Sequence, residues 1–183
     1  KGDKSISKTK PGQFFMIQPK NGRFFLRRPI SIHYVDENKN ELEFYYEIKG
    51  HGTNDLACVK EKDIINVQGP LGNGFDTHIK GKNVMVVGGG MGIAPMKYLI
   101  EDLIKKENRV TFIAGGRNKE TLKVLSNMSL EGVTLCLTTD DGSKGSKGRV
   151  DGKLKEFVKN NIYDVIFTCG PEKMMESVAN IAH

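Results

Sequence analysis

Four glycines crowd the stretch Val84-Met85-Val86-Val87-Gly88-Gly89-Gly90-Met91-Gly92-Ile93-Ala94-Pro95. The chemistry such a stretch can do is anion binding. Glycines let a backbone turn sharply and approach a ligand with no Cβ in the way. Pro95 suits the first turn of a helix, where its missing N–H costs nothing. A helix start offers free N–H groups and a positive dipole end to a phosphate. The apolar, largely β-branched run Val84 to Val87 reads as a parallel strand covered on both faces. Strand, glycine turn and helix together point to a nucleotide. The pattern Gly-Gly-Gly-x-Gly-x-x-Pro departs from the dinucleotide fingerprint Gly-x-Gly-x-x-Gly. No acidic residue stands plainly on the end of a second strand downstream. Taken alone, the stretch also fits a tight turn with no ligand.

Three further segments follow strands in the same half. In Thr138-Thr139-Asp140-Asp141-Gly142-Ser143, Asp140 or Asp141 could bind a ribose hydroxyl or an amide at a strand's C-terminal edge, or cap the loop. In Cys169-Gly170-Pro171-Glu172-Lys173-Met174, Gly170 and Pro171 open a helix, and Cys169 would sit near the reactive ring of a bound nicotinamide. The alternative for Cys169 is a small buried residue. In Gly115-Gly116-Arg117-Asn118, Arg117 could meet a 2′-phosphate or an adenosine ribose. With no acidic residue there, NADH versus NADPH stays open.

The first half carries its own candidates. Arg28 in Arg27-Arg28-Pro29-Ile30-Ser31 could reach a diphosphate through bidentate, charge-assisted bonds. Ser31 could offer its hydroxyl or N–H to a flavin ring. A surface arginine before an edge strand is the alternative. Gly50-His51-Gly52-Thr53-Asn54-Asp55-Leu56 leads two glycines into a capped helix, an arrangement for an anion. It and Arg28 could hold one pyrophosphate, with His51 a solvent-facing turn residue. Gly69-Pro70-Leu71-Gly72-Asn73-Gly74-Phe75 reads as a close-packed turn that shapes the cleft between domains, with Phe75 as core.

The elements that must position these residues fall into two grammars. Residues 14–17, 30–35, 42–48 and 64–67 are short and rich in β-branched or aromatic residues, divided by turn signals such as Pro11-Gly12, Asn21-Gly22 and Gly69-Pro70. A short helix is expected over 54–60, capped by Thr53 or Asn54. These predict an all-β barrel over residues 1–79. From residue 80 to 183, strands (83–87, 109–114, 133–138, 165–169) alternate with helices (95–107, 119–128, 152–160, 172–183). That rhythm predicts an α/β doubly wound parallel sheet.

Composition narrows the function classes. The chain has 183 residues, a net charge of +6 and a sequence pI near 9.1. Its lysines, among them Lys4, Lys8, Lys105 and Lys153, are scattered along the chain, most of them on what read as solvated faces, with no Arg-rich stripe and no stacking platform. Nucleic-acid binding is therefore not expected. No apolar run is long enough to span a membrane and no signal peptide is visible. Cys58, Cys136 and Cys169 are too widely spaced for a disulfide framework or a metal site, which fits a reducing cytoplasm.

In chain order, Arg28-Pro29-Ile30-Ser31, Gly52-Thr53, Gly72-Asn73-Gly74-Phe75, Gly88-Gly89-Gly90, Asp140-Asp141-Gly142 and Cys169-Gly170-Pro171 resemble the ferredoxin–NADP reductase superfamily. Within it, Arg-Pro-Ile-Ser, Gly-Pro-Leu-Gly-Asn-Gly-Phe and Thr-Asp-Asp-Gly-Ser are most similar to the electron-transfer subunits of bacterial class 1B dihydroorotate dehydrogenases. The resemblance implies FAD in the barrel domain and NAD(H) in the α/β domain. Arg28, Pro29, Ile30 and Ser31 then contact the flavin and its phosphates. Tyr45, Tyr46 and Glu47 match the strand along the FAD, and Gly52 with Thr53 its pyrophosphate turn. Ile30 stands where many members carry Tyr, which implies weaker stacking. Gly88, Gly89, Gly90 and Gly92, with Asp140 or Asp141 and Cys169-Gly170-Pro171, match the nicotinamide nucleotide site.

The implied function is electron transfer in pyrimidine biosynthesis between NAD and a catalytic, FMN-containing dihydroorotate dehydrogenase subunit in a heterotetramer. Ser31 and Cys169 flank the hydride transfer, and no side chain is needed as acid or base. Such subunits continue into a tail holding a [2Fe–2S] cluster, which needs four grouped thiolates. Those cysteines are not in this chain, so the sequence is either trimmed or a member without the cluster; the absent start Met and the end at His183 favour trimming. Similar subunits of other NAD(P)H-linked ferredoxin, sulfide or hydrogenase oxidoreductases, a stand-alone flavin reductase, and a regulatory nucleotide-binding module are the alternatives.

Overall fold

The computed structural model describes residues 6–19 and 25–182. Lys4, the turn signal Asn21-Gly22 and the end of the last expected helix at His183 lie outside the described residues. The chain divides into two compact units, Lys1–Phe75 and Asp76–His183.

In the first unit, β1 (Phe14–Ile17), β2 (Arg28–Asp36), β3 (Glu41–Phe44) and β4 (Val67–Leu71) form an antiparallel sheet in the order β3-β2-β1-β4. Alternation along β1 and β2 sends Phe15, Ile17, Ile30 and Ile32 inward. Phe15 lies opposite Ile30 and meets the Phe44 ring edge-on at 5.7 Å. The β2–β3 hairpin closes where the Asp36 carboxylate accepts the Lys39 N–H at 3.0 Å and Asn40 takes a φ of 54°.

Among the described residues this sheet is open, and the expected barrel closure is not found. β3 and β4 are its two edges and do not pair with each other. Ladder pairing stops at Phe44, so Tyr45, Tyr46 and Glu47 lie beyond the strand that was to carry them. The last strand starts at Val67 rather than Ile64. Closure requires enough strands, staggered around a full turn, and the described residues supply only these four. Helix α1 (His51–Ala57) begins three residues earlier than expected, with Gly50 as its N-cap. The Thr53 hydroxyl explains the early start: it accepts the N–H groups of Lys49 and Gly50 at 3.0 and 3.2 Å, folding the entering chain back onto the first turn.

In the second unit, β5 (Asn83–Gly89), β6 (Arg109–Gly116), β7 (Thr134–Thr139), β8 (Ser146–Lys147) and β9 (Val165–Cys169) form a parallel sheet in the order β8-β7-β6-β5-β9. Helices α2 (Met96–Lys105), α3 (Val150–Asn160) and α4 (Glu172–Ala182) follow strands as expected of a doubly wound sheet. Met85, Val87 and Ile113 pack with Val150 and Leu154 of α3 and Met174 and Val178 of α4. The alternate residues Val84, Val86 and Phe112 are fully buried too, as are Leu99, Ile100 and Leu103 of α2. That is why β5 reads as an unbroken apolar run.

Two elements depart from expectation. The segment expected as a helix over 119–128 is a 3-10 helix, Thr121–Asn127. The Asn118 side chain accepts the N–H groups of Glu120 and Thr121 at 3.1 and 3.3 Å, and the following bonds run three residues back, fixing the tighter winding. The glycine stretch enters α2 through a 3-10 turn, Gly90–Ile93, with Pro95 as the N-cap of α2. No helix among the described residues is long and apolar enough to cross a membrane.

Candidate functional site

In the second unit the strand order reverses at β5. The chain leaves β5 for β6 on one side, while β9 lies on the other. Ligands of open α/β sheets sit outside the C-terminal ends of the strands at such a point. Here those ends carry the glycine turn and Cys169-Gly170-Pro171. Gly88 pairs with Cys169 across the ladder.

The four glycines have different reasons to be glycine. A Cβ on Gly88 would come 3.2 Å from Ile93 Cγ1 and 3.3 Å from Phe112 Cε2. On Gly89 it would overlap the Met174 sulfur, and on Gly92 the Cys169 carbonyl. Gly90 is different: nothing lies within 4 Å of its Cβ position, and its φ is 56°. Of these four, Gly90 thus combines a left-handed backbone with open space where a phosphate could approach. Beside it, Met91 is partly exposed. Cys169 is half-buried, and burial pushes its thiol up from the ordinary range, so it is a neutral side chain and not a thiolate.

The loop after β7 is tied to the loop after β6. Asp140 and Asp141 donate their N–H groups to the Gly116 and Arg117 carbonyls at 3.0 and 3.3 Å. The Asp141 carboxylate accepts the Ser143 hydroxyl at 2.6 Å and its N–H at 2.9 Å, which holds the carboxyl below its usual range. Ser143 Oγ in turn accepts the Lys119 N–H at 2.8 Å. Asp141 is therefore engaged as a loop cap. The Asp140 carboxylate is exposed and has no partner among the described residues. Arg117 is exposed at the end of β6. Ser143 was part of the quoted motif, but its anchoring role depends on Lys119, which only the fold brings near.

In the first unit, two of the segments expected to share a ligand do meet. The Arg28 guanidinium lies directly on buried Gly52: a Cβ there would overlap Nε. Arg28 Nη1 donates to the Leu26 carbonyl at 2.8 Å. Its neighbour Arg27 is structural, donating to Asn66 O and Oδ1 at 3.2 and 2.8 Å. Ser31 is half-buried and opposite Phe14, whereas the Ile30 side chain turns into the core and Pro29 is exposed. Tyr45 stacks at a tilt on His33, with ring centroids 5.6 Å apart, and burial raises the Tyr46 phenol. Glu47 is exposed and paired with Lys49 at 3.0 Å. The turn at Gly69–Phe75 packs within its own unit, where Phe75 N–H donates to the Pro11 carbonyl at 2.8 Å and Gln13 Nε2 to the Gly72 carbonyl at 2.7 Å.

Residues 86–180 match the oxidoreductase NAD-binding domain family. The dihydroorotate dehydrogenase B (NAD(+)) electron transfer subunit of Caldanaerobacter subterraneus subsp. tengcongensis is 38% identical over 175 residues, 96% of this chain and 66% of that one. The corresponding Listeria innocua subunit is 35% identical over 175 residues, 94% of this chain and 68% of that one. The chain thus spans about two thirds of the length of these relatives. Among solved structures, a chain of the NADH-dependent reduced ferredoxin-NADP oxidoreductase matches with a TM-score of 0.84 at 29% identity, covering 97% of this chain and 63% of that one. A ferredoxin NADP+ reductase from Neisseria gonorrhoeae with bound FAD and NADP shares the fold at a TM-score of 0.71 and 20% identity, covering 95% and 78%. With sequence likeness along nearly all of its length, the chain belongs to the family of dihydroorotate dehydrogenase B electron transfer subunits, and residues 86–180 form its oxidoreductase NAD-binding domain.

Proposed function

We propose that this chain is a flavoprotein electron-transfer subunit that binds FAD in its first unit and NAD(H) in its second, and passes electrons between NAD and a catalytic dihydroorotate dehydrogenase subunit. The observation that carries the proposal is Gly90, left-handed and facing open space at the point where the β5–β9 strand order reverses. The likeness to dihydroorotate dehydrogenase B electron transfer subunits supports the choice of a catalytic dihydroorotate dehydrogenase partner; that this partner carries FMN and assembles as a heterotetramer is part of the proposal.

The residues present fit FAD. Arg28 lies against a glycine that leaves room for its guanidinium, where two N–H groups can face a diphosphate. Ser31 follows the inward-facing Ile30 on β2, and its hydroxyl is the group assigned to the flavin ring in this proposal. When bound, FAD supplies hydride exchange with NAD(H) and single-electron exchange with a redox partner. The glycine turn holds the nucleotide phosphates, and Gly170-Pro171 with Cys169 borders the nicotinamide. Cys169, kept neutral by burial, orients and excludes water there without acting as a nucleophile. Asp140 is the carboxylate left available for a ribose hydroxyl, and Arg117 bears on the choice between NADH and NADPH.

A [2Fe–2S] cluster does not fit the residues present. Cys58 caps the end of α1, Cys136 lies within β7 and Cys169 ends β9. Among the described residues no group of three or more His, Cys, Asp or Glu could hold a metal. No step is assigned to a cluster on these residues.

The test is an anaerobic visible spectrum of the purified chain with FAD and then NADH. A flavin band that bleaches with NADH is expected, and no FAD uptake would refute the proposal. The TM-score of 0.84 to the NADH-dependent reduced ferredoxin-NADP oxidoreductase chain favours a second reading, a subunit of another NAD(P)H-linked oxidoreductase. Dihydroorotate-driven flavin reduction in the presence of a catalytic dihydroorotate dehydrogenase subunit separates the two.

A further inference from the structure

Gly89 has no backbone reason to be glycine. Its φ of −127° and ψ of 128° are ordinary extended values that any residue adopts. What excludes a side chain is one atom: a Cβ at Gly89 would overlap the sulfur of Met174, while Met174 Cε lies at 3.3 Å and Pro171 Cδ at 3.4 Å. The same side chain bears on the other turn. A Cβ at Gly170 would come 2.7 Å from Met174 Cε and 3.1 Å from its sulfur. Met174 is 6% exposed, stands on the first turn of α4, and donates its N–H to the Pro171 carbonyl at 2.9 Å. A single thioether therefore touches the backbone of both turns that border the β5–β9 crevice. An unbranched, polarizable side chain suits that place, since it can lie between two Cα atoms where a branched one would collide.

We propose that Met174 is a positioning residue for the dinucleotide: its thioether sets the separation of the turns after β5 and β9, and so the fit of NAD(H) between them. This rests on nucleotide binding at the glycine turn. Met174 touches no reacting atom and acts only through Gly89 and Gly170. A methionine that merely fills the core would give a different response to paired substitutions, because Gly89→Ala and Met174→Ala are complementary in volume. The first adds a methyl where the sulfur lies, and the second removes the sulfur.

The experiment is a calorimetric titration of NADH into the wild-type chain, Gly89→Ala, Met174→Ala and the double variant, with far-UV circular dichroism melts of each. Gly89→Ala is expected to weaken NADH by about tenfold or more, and the double variant to return to within about threefold of wild type, a non-additivity of directly contacting residues. Flavin content should stay unchanged in all four. The proposal is overturned if Gly89→Ala binds NADH as wild type does, or if a folded double variant binds no more tightly than Gly89→Ala. If Gly89→Ala does not fold, a folded double variant with near-wild-type affinity supports the proposal, and one that has lost NADH overturns it. A folded wild-type chain with no NADH binding would instead overturn the nucleotide assignment on which the proposal rests.

Discussion

Replacing Gly90 by Asn separates two reasons for a glycine. The φ of 56° at this position costs an ordinary L-residue about 1–2 kcal/mol, and Asn visits the left-handed region more readily than most. Beyond its own turn, nothing lies within 4 Å of the Cβ position, so the new side chain starts into open space. Gly90→Asn should therefore fold, losing about 1 kcal/mol or less and roughly 2–4 °C in melting temperature at most. A phosphate seated on the Gly90 backbone would have to withdraw. Losing one charge-assisted bond from the turn's N–H groups costs about 1.5–3 kcal/mol, which is about 10- to 150-fold in Kd. Calorimetric titration of NADH at fixed ionic strength, beside a thermal melt, measures both quantities. An unchanged Kd in a folded Gly90→Asn variant would refute the assignment of the phosphate to this turn. Gly92→Ala should behave in the opposite sense. Its methyl would overlap the Cys169 carbonyl, which is backbone and cannot swing aside. Overpacking of about 1–3 kcal/mol is the expected effect, seen first in the melt.

Two further predictions concern the other loops. Gly52→Ala should displace the Arg28 guanidinium, the flexible end of a long side chain, at little cost in stability, and should weaken FAD nearly as much as Arg28→Ala, by about 1.5–3 kcal/mol if one charge-assisted bond is lost. Flavin titration of both variants checks this, and unchanged FAD affinity in both removes the pair from the site. The Asp141 carboxyl is held below its ordinary value of 3.8, chiefly by the Ser143 hydroxyl. A depressed carboxyl contributes its stabilisation in full above the unfolded pKa and loses it as pH falls through the folded one. The tie between the loops after β6 and β7 should therefore be intact at neutral pH and released only in acid. A carbon-detected NMR titration of Asp141 should give a midpoint below 3.8 that rises in Ser143→Ala, and a wild-type midpoint at or above 3.8 contradicts it.

The second unit was largely legible because its signals are local. The buried run Val84 to Val87 and the apolar spacing Met96, Leu99, Ile100 and Leu103 mark β5 and α2 directly. The errors there have side-chain causes, as at Asn118, whose carbonyl turns the following segment into a 3-10 helix. The first unit was less legible because strand pairing is not local. Residues 42–48 look uniformly like a strand, yet only Glu41–Phe44 find a partner along β2. Nothing in the types of Tyr45, Tyr46 and Glu47 marks the end of pairing. Arg28 and the Gly52 turn, one hairpin apart, were legible as two features that could serve one pyrophosphate; that the Arg28 guanidinium lies directly on Gly52 is what the fold adds.

The glycine turn shows why a run of glycines need not mean a backbone bared for a ligand at every position. Four glycines in sequence suggest a backbone bared for a ligand. At three of them the protein itself crowds the Cβ position: tightly at Gly88, where Ile93 and Phe112 lie at 3.2–3.3 Å, by overlap with the Met174 side chain at Gly89, and by overlap with the Cys169 backbone carbonyl at Gly92. In Gly-x-Gly-x-x-Gly the last glycine allows close packing of helix on strand. Here, with Gly88 and Gly90 as the first two glycines, that position is Ile93, and the close contact falls one residue earlier, Gly92 against the end of β9. The departure from the usual pattern goes with packing between the turn after β5 and its neighbouring strand, and of the four glycines Gly90 has open space at its Cβ position. A substitution scan across the turn should accordingly divide into two responses, stability at Gly92 and nucleotide affinity at Gly90, and a uniform loss of both at every position would mean that the turn acts as one rigid unit.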